Sequence, residues 1–338
     1  MSMRLVQLRS GKTRRVAMVE EPHLRLLAAD SIYELANEAI DRKAKLSEAA
    51  RAKATSEVVD YDEVYQGRSH WRILPAIDHP EQPARCLVSG TGLTHLGSAR
   101  DRQAMHAHAG GPEELESLTD SMKMFRWGLE GGRPAVGCIG TSPEWFYKGT
   151  GVNLHAHNDP LEVPAYAEDG GEEAEIAGGY LIGPEGRPYR IGMTTGNEFS
   201  DHCFEKRNYL YLASSKLRSY AIGPELVIDP DFSTVPGEVV IRRNDQAIWS
   251  RKIRTGEAEM CHSLQNIEHH HFKFAGHRQP GDIHVHFFGA DCLSFGDGIR
   301  LSHGDVMQIT FEGFGRPLRN TLQREEQGPT LINVVPMD

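Results

Sequence analysis

Apolar and polar residues alternate at the start of the chain in the pattern of a β-hairpin. The run MRLVQLRSGKTRRVAMVE, residues 3–20, has two alternating segments on either side of a turn at Gly11. In the following run SIYELANEAIDRKAKL, residues 31–46, apolar residues recur at helical spacing. Ser31 followed by Glu34 has the form of a capping box. The pattern therefore predicts a hairpin followed by a helix.

A polar stretch around residues 50–70 and a segment rich in proline separate this beginning from the rest of the chain. We therefore predict a small N-terminal α/β domain, residues 1–72, and a larger domain, residues 73–338. A second helix is predicted with Pro112 in its first turn and Gly131 at its C-cap. Its apolar residues share one face, which we expect to lie on the core: Leu115, Leu118, Met122, Phe125 and Leu129.

From about residue 135 onward the pattern changes to short β runs separated by glycine and proline turns. GGYLIG, PYRIGMTTG, DIHVHFFG and DVMQITFEGFG are examples, and EVVIRRNDQAIWS has the form of a hairpin. The elements do not alternate in the βαβ order of a parallel sheet. The sequence also lacks the GxGxxG and Walker A loops of nucleotide-binding folds. We therefore predict an α+β fold dominated by mixed β structure.

The composition narrows the classes of partner and compartment. The chain has 338 residues, 39% of them apolar, and a formal net charge of −10 that argues against a nucleic-acid partner. No apolar run approaches the roughly 20 residues that span a bilayer, and the first residues lack the apolar core of a secretory signal. The five cysteines are scattered without a CxxC pair, as expected for reduced thiols. We expect a cytoplasmic protein that does not bind membranes.

Two acidic residues on one strand face are the first candidates for chemistry. In EEAEIAGGYLIG, residues 172–183, Glu173 and Glu175 are two positions apart, so they share a face. Like charges on one face repel each other, and a solvated strand face would explain the pair by itself. Glu198 in TTGNEFSDH supplies a third carboxylate, and three carboxylates suit Mg²⁺, with Mn²⁺ or Ca²⁺ as alternatives. Glu172 points the other way and is expected to be solvated.

Lys216 and His95 are further candidates, although each residue type is common without a catalytic role. Lys216 lies in LASSKLRSYAIGPELVI, where it can be a surface charge or can stabilise an enolate next to a metal-bound substrate. His95 follows an apolar strand and a glycine-rich turn, a position from which loops carry catalytic groups. The histidine-rich residues 269–286 invite a zinc interpretation, but three consecutive residues, 269–271, cannot all converge on one ion.

The order of these pieces resembles the fumarylacetoacetate hydrolase superfamily. Four motifs occur with similar gaps: His95 after its glycine-rich turn, the Glu-x-Glu pair before IAGGYLIG, Glu198 in TTGNEFSD, and Lys216 before an apolar run. The tail FFGADCLSFGDGIRLSHGDVMQITFEGFGRPLRN is similar to the C-terminal pattern of that family. The resemblance covers roughly residues 80–325.

The resemblance implies a mixed β-roll catalytic domain with a small N-terminal domain, usually in a homodimer, that acts on 2-keto or 2,4-diketo acids. It implies that Glu173, Glu175 and Glu198 bind Mg²⁺. Lys216 would be the active-site lysine, and His95 the acid/base histidine on a mobile loop. The whole chain is most similar to a sugar-acid branch that dehydrates 2-keto-3-deoxypentonates. That similarity implies a product such as 2-oxoglutarate semialdehyde, in non-phosphorylative pentose degradation.

Two positions depart from the superfamily pattern. Glu198 stands where Asp is usual, and Ser98 stands where a Glu partner of His95 is usual. Without that carboxylate the imidazole is less well oriented and less basic, so attack by water becomes harder. Lys216 and His95 both remain candidates for the base. The alternatives are C–C hydrolysis of a 2,4-diketo-3-deoxy acid, oxaloacetate-type decarboxylation, and a sugar-acid-binding protein without turnover.

Overall fold

The structure is a computed structural model that describes residues 2–106 and 119–337. The strands are β1 (Arg4–Ser10), β2 (Thr13–Glu20), β3 (His23–Leu27), β4 (Ala54–Asp60), β5 (Arg72–Ile73), β6 (Cys86–Gly90), β7 (Phe146–Thr150), β8 (Leu154–His155), β9 (Leu161–Val163), β10 (Ala174–Ile182), β11 (Pro188–Asn197), β12 (Tyr220–Ile222), β13 (Leu226–Val227), β14 (Val235–Arg243), β15 (Gln246–Thr255), β16 (Ile283–Phe287), β17 (Val306–Phe311) and β18 (Leu318–Arg324).

Eight α-helices accompany these strands in the described part of the chain. They are α1 (Ile32–Asp41), α2 (Leu46–Ala52), α3 (Tyr61–Tyr65), α4 (Leu96–His106), α5 (Asp120–Gly131), α6 (His202–Arg207), α7 (Leu212–Lys216) and α8 (Leu264–Phe272). Short 3₁₀ helices span Pro83–Arg85, Gly151–Asn153, Pro184–Gly186, Tyr209–Tyr211, Ala275–Arg278 and Ser294–Asp297. None of the helices within residues 2–106 and 119–337 is long and apolar enough to cross a membrane.

The strands form two sheets, which confirms the predicted mixed β architecture. The larger sheet has 13 strands, and its main path runs β4-β3-β2-β1-β13-β11-β10-β16-β6-β7. The smaller sheet has the order β15-β14-β17-β18-β9. Most pairs are antiparallel, whereas β16 pairs with β6 in parallel. Strand β1 pairs with β13 in the register Leu5↔Leu226, so the N-terminal strands continue the larger sheet. The boundary at residue 72 stays a prediction.

The predicted N-terminal elements are present, and the helix is shorter than expected. β1 and β2 pair across the turn at Gly11, and the Ser31 side chain accepts a hydrogen bond from the Glu34 backbone N–H. α1 ends at Asp41 because the chain turns at Lys43, whose φ of +53° is left-handed. The residues after this turn form α2, a second helix that the apolar pattern does not separate from the first.

The second predicted helix is present in part as α5. The predicted residues 112–118 lie outside the described residues. Phe125 is buried as expected, but Leu129 is 63% exposed, so its prediction as a core residue is wrong. The buried face includes Gly128 instead, where an added Cβ would lie 2.6 Å from the Cys261 sulfur. This close approach determines which face of the helix packs on the protein.

Strands β10 and β11 form the centre of the larger sheet, and all nine residues of β10 are buried. Their register pairs Ala174 with Asn197 and Glu175 with Gly196. A Cβ at Gly196 would lie 2.4 Å from the Phe287 ring, so only glycine lets β11 pass this ring. The pairing brings the first residues of β10 beside the last residues of β11.

Candidate metal centre

Three glutamates meet where β10 begins and β11 ends. The backbone N–H of Glu198 donates to the carbonyl oxygen of Glu173 over 2.9 Å, which fixes the two chain ends together. Glu173, Glu175 and Glu198 each offer a carboxylate oxygen, and these atoms lie within 4.8 Å of one another. All three side chains are buried. Within the described ranges, this is the one group of acidic, histidine or cysteine side chains with the spacing of a metal site.

Two buried lysines contact this carboxylate cluster. The Lys216 ammonium lies 2.5 Å from Glu173 Oε1 and 2.6 Å from Glu198 Oε2. The Lys148 ammonium lies 2.6 Å from Glu198 Oε1 and donates to the carbonyl oxygen of Phe199, also over 2.6 Å. Lys216 is among the site residues predicted from the sequence, whereas Lys148 is not. A signal was present, because Lys148 alternates with the exposed Tyr147 on β7 and so faces inward with Phe146.

Hydrogen bonds orient two of the carboxylates. His202 Nε2 lies 3.1 Å from Glu173 Oε1. This histidine was not predicted from the sequence. The backbone N–H of Gly289 donates to Glu175 Oε2 over 2.6 Å. Outer contacts of this kind hold metal-binding side chains in one orientation.

The electrostatics of the cluster fit a divalent cation. Burial, followed by the charges of Glu198 and Glu173, raises the pKa of Glu175 well above its usual value. Burial also opposes ionisation of Glu173, but Lys216 and His202 overcome it and hold the pKa of Glu173 well below its usual value. If all three carboxylates are ionised, they carry one negative charge more than the two ammonium groups balance, and this repulsion contributes to the raised pKa of Glu175. A hard cation with oxygen ligands would compensate that excess.

Lys216 and Lys148 differ in their electrostatic surroundings. Burial disfavours the charge of Lys216, but Glu173 and Glu198 raise its pKa above the usual value. Burial lowers the pKa of Lys148 to about 8, and Glu198 opposes this change only in part. Lys216 is therefore the more firmly charged member of the pair.

His95 lies apart from the carboxylates. Its Nδ1 is 2.8 Å from Thr94 Oγ1 and its Nε2 is 3.1 Å from Thr255 Oγ1, while the Ser98 hydroxyl donates to its carbonyl oxygen. Burial lowers the pKa of His95 to about 4. The residue lines a cavity of about 790 Å³ whose lining includes neither Lys216 nor any of the three glutamates. The structure thus brings together four of the five predicted residues and places His95 outside that contact.

The prediction that Glu172 is solvated is wrong. Its side chain is buried, with Oε1 accepting from the Ser294 backbone N–H over 2.8 Å and Oε2 accepting from the Ser294 hydroxyl over 2.7 Å. These bonds cap the 3₁₀ helix Ser294–Asp297, which has no cap from its own Leu293. Burial raises the pKa of Glu172, and the bonds from Ser294 oppose that change. Glu172 therefore has a structural role on the opposite side of the strand.

A second buried charged group lies beside the carboxylate cluster. Arg102 of α4 is 2.5 Å from Glu205 of α6 and 3.7 Å from Glu144. Glu144 accepts a hydrogen bond from the Tyr209 hydroxyl over 2.7 Å. Burial raises the pKa of Glu144, and the nearby positive charges of Arg102 and Lys216 oppose this. Glu144 lies in an irregular segment before β7, where no periodic pattern of apolar residues could indicate its burial.

Among the described residues, the histidine-rich region does not have the spacing of a metal site. His284 and His286 lie on one face of β16, as predicted, but His286 is bonded to Ser89 and Thr91. His271 of α8 is 2.9 Å from His284, and its neighbour His270 instead contacts the carbonyl oxygen of Gly140. The nitrogen atoms of these rings form hydrogen bonds with one another and with hydroxyl or carbonyl groups, so they do not converge on one ion.

Comparison with known proteins gives similar proteins in both sequence and structure. No family model matches the chain. A protein named probable 2-keto-3-deoxyxylonate dehydratase, from Haloferax volcanii, is 28% identical over 179 residues. That match covers 51% of this chain and 58% of the relative, so it spans little more than half the length of either protein.

Solved structures are similar along almost the whole chain. A hexagonal crystal form of 2-keto-3-deoxyarabinonate dehydratase has a TM-score of 0.69 and 18% identity, covering 96% of this chain and all of that one. A complex of 2-keto-3-deoxy-D-arabinonate dehydratase with magnesium and 2,5-dioxopentanoate has a TM-score of 0.67 and 19% identity, with the same coverage of both chains. A 5-carboxymethyl-2-hydroxymuconate delta-isomerase from Mycobacterium smegmatis has a TM-score of 0.55 and 16% identity, again with that coverage. The chain therefore shares the fold of these solved structures, which include dehydratases of the kind that the sequence resemblance indicates.

Proposed function

We propose that the protein is a magnesium-dependent dehydratase of a 2-keto-3-deoxy sugar acid, a pentonate. The observation that carries this proposal is the buried cluster of three glutamates and two lysines. It occurs in a fold shared with a dehydratase that was solved with magnesium and 2,5-dioxopentanoate. The product would be a 2-keto acid semialdehyde such as 2,5-dioxopentanoate, which is 2-oxoglutarate semialdehyde, in non-phosphorylative pentose degradation.

Glu173, Glu175 and Glu198 would hold the ion. When bound there, magnesium supplies Lewis-acid polarisation of the substrate's C1 carboxylate and C2 keto oxygens, which makes the C3 proton more acidic. Mn²⁺ or Ca²⁺ remain alternatives, because the ligands are oxygen atoms only. Gly289 and His202 would keep Glu175 and Glu173 in place through the hydrogen bonds described above.

The reaction removes one proton from C3 and the hydroxyl group from C4, which leave together as water. A proton then moves from C5 to C3, which leaves an enol with a C4=C5 double bond. The proton of the enol hydroxyl moves to C4, and C5 becomes the aldehyde. We propose that Lys216 in its neutral form accepts the C3 proton, since it contacts the carboxylate cluster and His95 does not. The charges of Glu173 and Glu198 raise the pKa of Lys216, and a cation held by these two carboxylates would offset them and make the neutral form accessible. Glu144, whose pKa is raised by burial, would protonate the departing C4 hydroxyl.

The decisive experiment is incubation of the protein with Mg²⁺ and a panel of 2-keto-3-deoxy and 2,4-diketo acids, followed by product NMR. We expect a dehydrated 2-keto acid semialdehyde, and we expect EDTA to abolish its formation. Glu173→Gln and Glu175→Gln should lose both the activity and the heat of Mg²⁺ binding in calorimetry. Glu185→Gln is the matched control, because Glu185 is exposed outside the site.

Each alternative function predicts a different result. Pyruvate plus a hydroxy acid would identify C–C hydrolysis, and release of carbon dioxide would identify decarboxylation. Tight binding of a sugar acid without turnover in the presence of Mg²⁺ would favour a binding protein. A substrate adduct on Lys216 after borohydride treatment would replace the metal-dependent route by an imine route.

We also propose that the chain works as a homodimer in the cytoplasm. The support is the superfamily resemblance for the dimer, and the scattered free cysteines for a reducing compartment. Light scattering of the purified full chain tests the first proposal, and fractionation of the source cells tests the second.

A further inference from the structure

A groove of about 970 Å³ lies beside the beginning of β11, whereas the carboxylate cluster lies where β11 ends. One wall consists of α1, α2 and the turn between them, and the other consists of the beginning of β11 with residues 228–230. Cavities of this size accept small organic ligands. Neither the carboxylate cluster nor its two lysines take part in the lining.

The groove concentrates positive charge on a chain whose net charge is −10. Five of its lining residues are basic and one, Asp229, is acidic. Arg190 pairs with Glu268 over 2.6 Å. The other four basic residues have no ion-pair partner among residues 2–106 and 119–337: Lys43, Lys45, Arg51 and Arg187. Four exposed and unpaired cations around one groove attract an anion that carries several charges.

The floor of the same groove is apolar. Ile40, Leu46 and Ile228 are partly buried and pack on the core beneath it. Tyr189 lines the wall, and the guanidinium carbon of Arg187 lies 5.5 Å from the centre of its ring. A planar ligand group could therefore stack on an aromatic or guanidinium face while its charged part meets the lysines.

We propose that this groove binds a polyphosphate that carries an aromatic or other apolar group, the chemistry shared by nucleoside triphosphates and coenzyme A. The phosphates contact Lys43, Lys45 and Arg51, and the apolar group lies on the floor beside Tyr189. The site goes beyond the proposed dehydratase reaction, whose substrate has a single carboxylate and no apolar body. β11 carries Tyr189 near its start and ends next to Glu198, so the two sites share one strand.

Trinitrophenyl-ATP is the probe for a direct test, because its fluorescence increases in an apolar site. We expect saturable binding to the full chain that weakens strongly between about 50 and about 200 mM salt. Arg187→Ala and Lys45→Ala should each weaken binding by about tenfold, the effect of losing about 1.4 kcal/mol. Lys12→Ala should leave it unchanged, since Lys12 is an exposed cation of the β1–β2 turn. Competition with ATP and with coenzyme A distinguishes the two ligand sources.

Several results would overturn the assignment. The first is an unchanged affinity for trinitrophenyl-ATP in Arg187→Ala and Lys45→Ala, when both variants keep the wild-type melting temperature. Displacement of the probe by inorganic triphosphate as readily as by ATP would remove the role of the apolar floor. A change from dimer to monomer in light scattering of Arg187→Glu would show that a second copy of the chain covers the groove. Dehydratase activity without added nucleotide should be equal in all these variants, so this test is independent of the proposed reaction.

Discussion

Replacing Glu172 separates its structural role from the role of its neighbour Glu173. Glu172→Ala would remove both acceptors of Ser294 and leave a buried backbone N–H and a buried hydroxyl without partners. A hydrogen bond to a charged group contributes about 1.5–3 kcal/mol, and an unsatisfied buried donor costs about 1–3 kcal/mol. We therefore expect Glu172→Ala to lower the free energy of unfolding by about 3–5 kcal/mol.

Glu172→Gln is the graded control for this reasoning. The amide oxygen still accepts from the Ser294 N–H, and the amide NH₂ can donate to the Ser294 hydroxyl, which then acts as acceptor. The variant also removes a buried charge, so we expect a cost below about 1 kcal/mol. Glu57→Ala provides a second control, since the Glu57 side chain is exposed.

Urea denaturation followed by circular dichroism, together with calorimetric melting, measures these differences. Mg²⁺ affinity should be the same in Glu172→Ala, Glu172→Gln and the wild type at a temperature where all are folded. Equal stability of Glu172→Ala and Glu57→Ala would refute the capping role. Equal loss in Glu172→Gln and Glu172→Ala would show that the charge, and not the hydrogen bonding, stabilises this turn.

Three further predictions concern the cluster, the strand that carries it and the buried histidines. Lys148→Met leaves Glu198 with one ammonium partner fewer. Compared with wild type, we expect a lower melting temperature without Mg²⁺ and a larger rise of the melting temperature when Mg²⁺ is added. The control variant Lys12→Met should match wild type in both measurements. Gly196→Ala should push against the Phe287 ring, cost about 1–3 kcal/mol and weaken Mg²⁺ binding in calorimetry, while Gly276→Ala, with open space at its Cβ, should do neither. Burial lowers the pKa of His284 and of His286 to about 3, so the unfolded chain takes up protons below pH of about 6.5 when the folded protein does not. The free energy of unfolding should therefore fall between pH about 6.5 and 3, by up to about 1.4 kcal/mol per pH unit for each ring. In urea titrations His284→Gln should reduce this dependence on pH, whereas replacing the exposed His23 should not.

The sequence patterns that succeeded are local ones. The hairpin around Gly11, the capped start of α1 and the pair β14–β15 depend on residues that are neighbours in the chain. The turn of β14–β15 is formed by Asn244 and Asp245, both with positive φ, which is the turn chemistry that the run RRNDQ indicates. Glu173 and Glu175 could be placed on one face because side chains on a strand repeat every two residues.

The patterns that failed depend on contacts between distant parts of the chain. Glu172 was expected in solvent because it faces away from Glu173, but both faces of β10 are covered and its partner lies 122 residues later. Leu129 has the helical spacing of a core residue, yet the approach of Gly128 to Cys261 turns it outward. The cluster partners of Lys148 lie 50 residues further along the chain, so its strand position alone gave no chemical role.

The two lysines also bear on how the protein is made and degraded. Small zinc domains obtain their folding energy from the metal and are unfolded without it. In this protein Lys148 and Lys216 are counter-ions that belong to the chain itself, and they keep the buried carboxylates partly neutralised from the moment the core forms. We therefore expect the newly synthesised chain to fold before it meets a metal ion. Scarcity of magnesium in the cell would then stop the proposed dehydratase reaction without exposing the protein to proteases.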